Sequence, residues 1–284
     1  MSRSSAEPTA NKIDTATVKA VQYIRRMRGG TLAHLLKWSA GHFYVVKFRN
    51  NPQHLRVMAN EMLATVLAEC VGLPVPTRAI VDAGQELIQD TPALSIQLDH
   101  FNIPCESGAQ FGARYVVSPL EGQVFDNLAV TMLSHLRNPE TFVGILALDK
   151  LTCNTDGRQA MFWRRLREKK YNVTFIDQGY CFNTGAWTFP DGALRGVYAE
   201  HEVYESACSW DSFEPWLSRI EGMPDSTVWR ATGIISPEWY GSDWEALEKL
   251  ALSLLERREK VRDLIMSFGL SPQQPFPNWM LRAA

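Results

Sequence analysis

The sequence predicts an α+β protein of two lobes, with a β-rich N-terminal lobe and a mainly helical C-terminal lobe. β-favouring runs separated by glycine and proline turns recur over residues 18–120, with one helical segment among them. Beyond Trp210 the apolar residues instead recur at helical spacing, most clearly over residues 242–268. The 284 residues, 45% of them apolar, suffice to bury a core of this size. We therefore expect a disordered tail over residues 1–17, an N-terminal lobe over 18–118 and a C-terminal lobe over 119–284.

The overall composition excludes several classes of protein. A net charge of -2 and a pI near 6.3 argue against a dedicated nucleic-acid binder, which usually carries a basic surplus. The five cysteines form no Cys-x-x-Cys pair, so neither a zinc site nor a disulfide framework is indicated. The polar N-terminus is not a secretory signal, and no uncharged run reaches the ~18 residues that cross a bilayer. We expect a soluble protein of the reducing cytoplasm.

A pair of glycines separates the first two predicted strands. A weakly alternating run over residues 18–23 is followed by the turn Arg28-Gly29-Gly30-Thr31, and a second run covers residues 32–38. Gly29 and Gly30 would let the backbone N–H groups of this turn approach a phosphate closely. A tight hairpin turn without a ligand explains the same pattern. No Gly-Lys-Ser or Gly-Lys-Thr follows, so the turn is not a Walker A loop.

One lysine lies in a strongly β-favouring run. Lys47 ends the segment His-Phe-Tyr-Val-Val-Lys at residues 42–47, and it could extend along the exposed face of a strand to reach solvent. Glu61 follows in the helical segment over residues 53–71, at the edge of its apolar stripe. A strand lysine paired with a glutamate of the next helix is the ion pair that holds the ATP phosphates in kinases. The alternative for Glu61 is an ordinary carboxylate on a helix surface.

The segment after this helix leads to a predicted hinge. Gly72 and the prolines after it end the helix, a strand is expected over residues 77–81, and residues 82–112 show no regular pattern. A last strand is expected over residues 114–120, before helical spacing begins over residues 124–136. In a two-lobed protein this strand would be the hinge, where backbone groups near Val117 and Ser118 would contact adenine. An edge strand followed by a loop is equally compatible with the pattern.

Asp149, Asn154 and Asp177 have the arrangement that phosphoryl transfer from ATP uses. A predicted helix leads to Asp149, and two β-favouring runs over residues 159–163 and 171–176 form a hairpin that ends at Asp177. In protein kinases the first aspartate orients the nucleophile, and the asparagine and second aspartate hold the magnesium ions. Asparagine and aspartate are also common turn residues, so the Asp149 motif alone is equally typical of a surface turn.

Several separated motifs together resemble the HipA-like kinase family, a bacterial group. The resemblance covers residues 20–270, and its I-D-x-G element is also found in phosphoinositide kinases. It is carried by G-G-T-L (29–32), Y-V-V-K-F-R-N-N-P-Q-H (44–54), A-N-E-M-L-A (59–64), G-L-P-V-P (72–76), D-K-L-T-C-N-T-D-G-R-Q-A (149–160), F-I-D-Q-G-Y-C-F-N (175–183) and F-P-D-G-A-L-R-G-V-Y (189–198).

This resemblance implies a two-lobed, protein-kinase-like fold and a role for each motif. Gly29, Gly30 and Thr31 would form the phosphate loop, Lys47 would bind the phosphates with Glu61 as its partner, Asp149 would be the catalytic aspartate, and Asn154 with Asp177 would bind the metal. The sequence departs from protein kinases at Ala147-Leu148, where they carry His-Arg, and at Gln178, where they carry Phe. The loop over residues 183–198 occupies the place of their substrate-gating loop.

These observations predict a phosphotransferase that depends on ATP and Mg²⁺. The acceptor would be a hydroxyl group, on a protein serine or threonine as the resemblance implies, although a small molecule or a lipid is compatible with every residue named. Two other functions remain open. The chain could be a nucleotide-binding pseudokinase that acts as an interaction module, or a structural domain that binds no nucleotide.

Overall fold

The computed structural model describes residues 13, 15–27, 32–98, 100–118 and 120–279. Over these residues the α+β prediction is confirmed. The strands are β1 (Thr17–Arg26), β2 (His34–Trp38), β3 (Phe43–Lys47), β4 (Arg78–Ala83), β5 (Ser95–Gln97), β6 (Asn102–Pro104), β7 (Gly108–Arg114), β8 (Gly122–Phe125), β9 (Gln159–Arg165) and β10 (Asn172–Ile176). The α-helices are α1 (Val57–Val71), α2 (Gln85–Gln89), α3 (Thr141–Thr152), α4 (Trp216–Glu221), α5 (Asp225–Gly233), α6 (Trp244–Arg257) and α7 (Val261–Gly269).

The N-terminal strands form a closed five-stranded sheet in the order β1-β2-β3-β7-β4. The sheet closes because β1 pairs with β2 on one side and, in parallel, with β4 on the other. The strand predicted over residues 114–120 is wrong, since the strand β7 ends where that prediction begins. Sequence patterns do not identify β7, because its close approach to β4 requires small residues. A Cβ atom on Gly112 would lie 2.3 Å from Cγ2 of Val81.

The helix α1 belongs to the larger of two hydrophobic cores. The smaller core lies within the closed sheet and includes Val46, Phe48 and Val81. The larger core joins α1 to the helices that follow residue 140. The helix begins at Val57 rather than at residue 53, and Gly72 ends it in the left-handed region at φ 82, as its position predicts. The side chains of α1 therefore lie between the sheet and the helical part of the chain.

The second half of the chain carries a three-stranded sheet and the helix α3. The helical spacing expected over residues 124–136 is wrong, because β8 occupies its start and a 3-10 turn covers Val130–His135. The strand β8 joins the predicted hairpin of β9 and β10. All residues of α3 are buried, and the helix ends at Cys153 in the left-handed region at φ 47. The helix and the hairpin together present the residues between them to the closed sheet.

The helices α4, α6 and α7 pack against α3, and the four helices α4 to α7 all contribute side chains to the larger core. The chain after α7 returns to the body through Phe276, which contacts the rings of Phe213 and Phe268, and through Trp279, which contacts Trp210. None of the helices described is long and apolar enough to cross a membrane.

Candidate active site

A cavity of about 470 Å³ lies where the closed sheet meets the hairpin of β9 and β10. Its lining combines apolar side chains with a small number of charged groups, which is typical of a small-molecule site. The apolar lining includes Val45, Phe111, Met161 and Ile176. The charged groups on its wall are Lys47, Glu61, Arg114, Asp126, Arg158, Asp177 and Glu200.

Lys47, Glu61 and Asp177 meet in this cavity. The Nζ atom of Lys47 lies 2.5 Å from Oε1 of Glu61 and 2.7 Å from Oδ1 of Asp177. The three side chains are no more than 7% exposed. Burial alone would lower the pKa of Lys47, but the two carboxylates outweigh burial and raise it, so the amine is protonated. The structure therefore brings together residues 130 positions apart in the chain.

The two carboxylate oxygens of Asp177 differ in their contacts. Its Oδ1 atom accepts a hydrogen bond from Lys47, while its Oδ2 atom is buried and has no hydrogen-bond partner among the described residues. Burial would raise the pKa of Asp177, but the Lys47 ammonium outweighs burial and lowers it, so the group is ionised. Asp177 directly follows β10 and has φ 60, a left-handed conformation that is uncommon outside glycine.

This unpaired oxygen fits a divalent cation. Mg²⁺ is usually bound by one or two carboxylates together with substrate phosphates and water, rather than by a complete cage of protein ligands. Within the described residues no three His, Cys, Asp or Glu side chains gather into a metal site of their own. Asp177 therefore offers the part that the protein supplies in a nucleotide-bound magnesium site.

Asp149 lies in a second charged cluster, in the last turn of α3. Its carboxylate accepts hydrogen bonds from Nε of Arg158, at 2.8 Å, and from Nη2 of the same side chain. The two side chains are 1% and 0% exposed. Burial alone would lower the pKa of Arg158, but Asp149 outweighs burial and raises it. Arg158 lines the cavity, whereas Asp149 lies behind it and does not.

Asn154 completes this second cluster. Its Nδ2 atom donates to Oδ1 of Asp149 at 3.1 Å, and its Oδ1 atom accepts the backbone N–H of Asp156 at 3.2 Å. The side chain is 1% exposed. The amide oxygen that a metal would need thus already accepts one hydrogen bond within the loop, and no hydrogen bond joins Asn154 to Asp177 in the described part of the chain.

The loop over residues 183–198 covers Asp149 from outside. A Cβ atom on Gly196, which has φ 68, would lie 2.5 Å from Cβ of Asp149, so only glycine fits this approach. The buried amine of Lys150 donates to the carbonyl oxygens of Ala193 and Arg195, both at 2.8 Å. Burial lowers the pKa of Lys150 to about 8. These contacts hold the loop against the end of α3.

The predicted adenine contacts need correction. Val117 and Ser118 do not line the cavity that contains Lys47; they line a second cavity of about 620 Å³ beside it. Tyr115 and Val116 line both cavities. The reason is that β7 ends at Arg114, after which the Ser118 carbonyl accepts the backbone N–H groups of Glu121 and Gly122 and turns the chain away.

Gly29, Gly30 and Thr31, predicted as the phosphate loop, lie outside the described residues. The residues that flank this turn are informative. Met27 and Ala33 both line the cavity, and the N–H of Met27 donates to the carbonyl of Ala33 at 2.9 Å.

Sequence patterns missed several residues of the site. Arg158 directly precedes the β-favouring run over residues 159–163, and an arginine in this position resembles an exposed hairpin residue. Asn60, beside Glu61 in α1, was not singled out either. Asp126, Asn127, Tyr198 and Glu200 line the cavity, but no spacing rule links them to Lys47.

Comparison with known proteins supports the kinase resemblance. Residues 20–160 match the family model of HipA-like kinases. The structure of the Golgi casein kinase with Mn/ADP bound is similar at 14% identity and a TM-score of 0.53, over 90% of this chain and 75% of that chain. The Helicobacter pylori proinflammatory kinase CtkA is similar at 13% identity and a TM-score of 0.54, over 91% of this chain and 100% of that chain. No curated protein matches the chain.

The structural similarities establish the fold, which is kinase-like. The family match confirms the resemblance stated from the motifs, and it confirms the prediction that the chain is a kinase.

Proposed function

We propose that this HipA-like kinase transfers the γ-phosphate of ATP to a hydroxyl group and that it depends on Mg²⁺. The observation that carries the proposal is the contact of Lys47 with both Glu61 and Asp177 on the wall of one cavity. The protonated Lys47 lies between two carboxylates, one of which keeps an unpaired oxygen in the pocket. Such a group is unfavourable alone and becomes favourable when phosphates and a cation share the pocket.

Each residue of this cluster has a distinct part in the proposal. Lys47 holds the α- and β-phosphates, and Glu61 fixes the direction of the lysine side chain. Oδ2 of Asp177 would bind the metal, and Asn154 would join it through the second lone pair of its amide oxygen, beside the hydrogen bond from the N–H of Asp156. A bound Mg²⁺ ion would neutralise the charge that develops on the phosphate oxygens. Tyr115 and Val116, rather than Val117 and Ser118, meet the adenine, and Gly29, Gly30 and Thr31 cover the phosphates.

The carboxylate that orients the acceptor hydroxyl has two candidates. Asp149 has the motif position, but both of its oxygens are held by Arg158 behind the cavity wall. Neither aspartate lines the cavity, but Asp156, in the loop between α3 and β9, is half-buried rather than fully buried. Its Oδ1 atom accepts the backbone N–H of Gly157, and its Oδ2 atom accepts a hydrogen bond from Gln159, which lines the cavity. A general base must reach the proton that it accepts. We therefore propose that Asp156 orients the acceptor hydroxyl, and that the ion pair of Asp149 with Arg158 stabilises the loop between α3 and β9.

The remaining features of the proposal follow from the fold. The lobes would divide near residue 118, so that the cavity lies between the closed sheet and the helical part. The described cysteines are all free thiols, which fits a reducing cytoplasm where ATP is abundant. The acceptor would be a protein serine or threonine, with a small molecule or lipid as the alternative.

A second function has one observation in its favour. The buried, fully paired state of Asp149 and Asn154 is what a pseudokinase would show if it bound nucleotide without turning it over. Such a module would retain the cluster of Lys47 with Asp177 and serve as a nucleotide-dependent interaction domain.

The test is release of ADP from ATP by the purified chain, measured with and without Mg²⁺, with water or a hydroxyl group of the chain itself as the acceptor of the γ-phosphate. We expect Mg²⁺-dependent release that falls about 100-fold or more in Lys47→Met, because the phosphates lose their buried cation. Lys37→Met is the matched control, since Lys37 lies on the adjacent strand β2 outside the cavity. Nucleotide binding without ADP release would favour the pseudokinase, and the absence of both would overturn the proposal.

A further inference from the structure

The backbone after Asp177 is held in an unusual conformation. Left-handed φ angles occur at Asp177 (60), Phe182 (58), Asn183 (56), Thr184 (60) and Trp187 (53), none of which is glycine. Such residues cost on the order of 1–3 kcal/mol each and persist only where the surroundings hold them. The segment over residues 177–187 therefore needs an external support.

A single side chain of α1 supplies much of that support. Asn60 is 0% exposed, and its Nδ2 atom lies 2.8 Å from the carbonyl oxygens of Gly179, Cys181 and Thr184. Its Oδ1 atom accepts the indole N–H of Trp187 at 2.8 Å. Two amide protons serve three converging carbonyls, so the hydrogen-bonding capacity of this side chain is fully used. The segment over residues 177–187 is thus hydrogen-bonded at four points to one buried side-chain amide.

The next residue of α1 holds the start of the same segment. Glu61 pairs with Lys47 through Oε1 and accepts the backbone N–H of Gln178 through Oε2, at 3.0 Å. His54, on the approach to the helix, lies 2.9 Å from the Gly179 carbonyl through Nε2. Adjacent residues of one helix therefore fix both the side-chain partner of Asp177 and the backbone that follows it.

We propose that Asn60 is a positioning residue that aims the free carboxylate oxygen of Asp177 at the metal. This inference rests on the proposed function. Lys47 restrains only the Oδ1 atom of Asp177, so the direction of Oδ2 depends on the backbone at residues 177–179. Asn60 sets that backbone two residues downstream. Protein kinases carry a His-Arg pair whose arginine binds a phosphate of the activation loop, and this chain has Ala147-Leu148 at that position. The hydrogen bonds of Asn60 restrain the segment over residues 177–187 without a phosphate.

The experiment measures thermal unfolding with ATP present while Mg²⁺ is titrated, in the unsubstituted chain and in Asn60→Ala. We expect the Mg²⁺ concentration for half-maximal stabilisation to rise about tenfold in Asn60→Ala, as is usual when the support of a metal ligand is lost. Asn138→Ala is the matched control, because Asn138 also bridges backbone groups, donating to and accepting from Val173, both at 3.0 Å. That variant should lower the unfolding temperature and leave the Mg²⁺ midpoint unchanged.

The outcomes separate this inference from the proposed function. An Asn60→Ala midpoint equal to that of the unsubstituted chain would overturn the inference alone, as would the same rise in Asn138→Ala. If the unsubstituted chain shows no Mg²⁺-dependent stabilisation by ATP, the proposed function fails and this inference with it. If Asn60→Ala does not fold, Trp187→Phe replaces it, since that variant removes the indole donor to Asn60 and keeps an aromatic ring against Arg56 and Tyr240. A smaller rise is expected there, and an unchanged midpoint would contradict the role of Asn60.

Discussion

Two buried charged clusters lie within one site, and they differ in whether their carboxylates are satisfied. In the first, Lys47 contacts Glu61 and Asp177, and one oxygen of Asp177 remains unpaired at the cavity wall. In the second, Asp149 faces Arg158 through two hydrogen bonds and receives a third from Asn154. In the first cluster one carboxylate oxygen lacks a hydrogen-bond partner, whereas in the second both oxygens of Asp149 accept hydrogen bonds from Arg158.

Whether a buried carboxylate has an unpaired oxygen distinguishes a carboxylate that can bind a ligand from a structural one. Both aspartates occupy motif positions in the sequence, and both are nearly fully buried. Only the cluster with an unpaired oxygen can gain from a ligand, because a completed ion pair must lose its own hydrogen bonds before it can bind anything. We therefore assign ligand binding to the first cluster and support of the loop after α3 to the second.

Breaking the second cluster should produce the largest effect on stability. Arg158→Met leaves the buried Asp149 carboxylate with only Asn154 as a donor, and we expect a loss of about 3–5 kcal/mol in the free energy of unfolding. Urea denaturation followed by circular dichroism measures the change. The double variant Asp149→Leu with Arg158→Met is the control, because replacing both charges by apolar groups should recover much of the loss. If Arg158→Met is as stable as the unsubstituted chain, the ion pair of Asp149 with Arg158 does not have this stabilising role.

A smaller, purely kinetic effect should separate Asp156 from Asp149. Asp156→Asn should lower kcat for ADP release about 100-fold, as loss of a general base typically does. Its unfolding free energy should stay within about 0.5 kcal/mol, because the side chain is only half-buried and forms no ion pair among the described residues. Steady-state kinetics at saturating ATP measures kcat. Full activity in Asp156→Asn, together with complete loss in a folded Asp149→Asn, would return the role to Asp149.

The first cluster could be predicted from the sequence because its charged residues occur in segments that are otherwise apolar. A lysine in an apolar strand and a glutamate at the edge of an apolar helix stripe both require partners if they are buried. The aspartate at the end of a hairpin completes the set, although it lies 130 residues from Lys47. The same reasoning gave α3 and the hairpin of β9 and β10, whose apolar patterns are long and regular.

The parts that could not be predicted depend on close packing. The strand β7 is rich in glycine and alanine because Gly112 touches β4, so it lacks the β-branched residues that indicate a strand. Because this strand was not recognised, the sequence prediction placed a last strand over residues 114–120 and the hinge near Val117 and Ser118, whereas β7 ends at Arg114. The Arg158 partner of Asp149 could not be foreseen either, because residues beside a turn are usually exposed. The role of Asn60 depends on contacts with a segment about 120 residues away.

The central claim is that Asp177 holds a divalent cation in a nucleotide site. The most direct measurement is calorimetric titration of ATP into the unsubstituted chain and into Asp177→Asn, each with and without Mg²⁺. We predict that Mg²⁺ strengthens binding to the unsubstituted chain about tenfold or more and leaves binding to Asp177→Asn unchanged, since the variant lacks the charged oxygen. Equal Mg²⁺ enhancement in both proteins, or no ATP binding by the unsubstituted chain, would contradict the account.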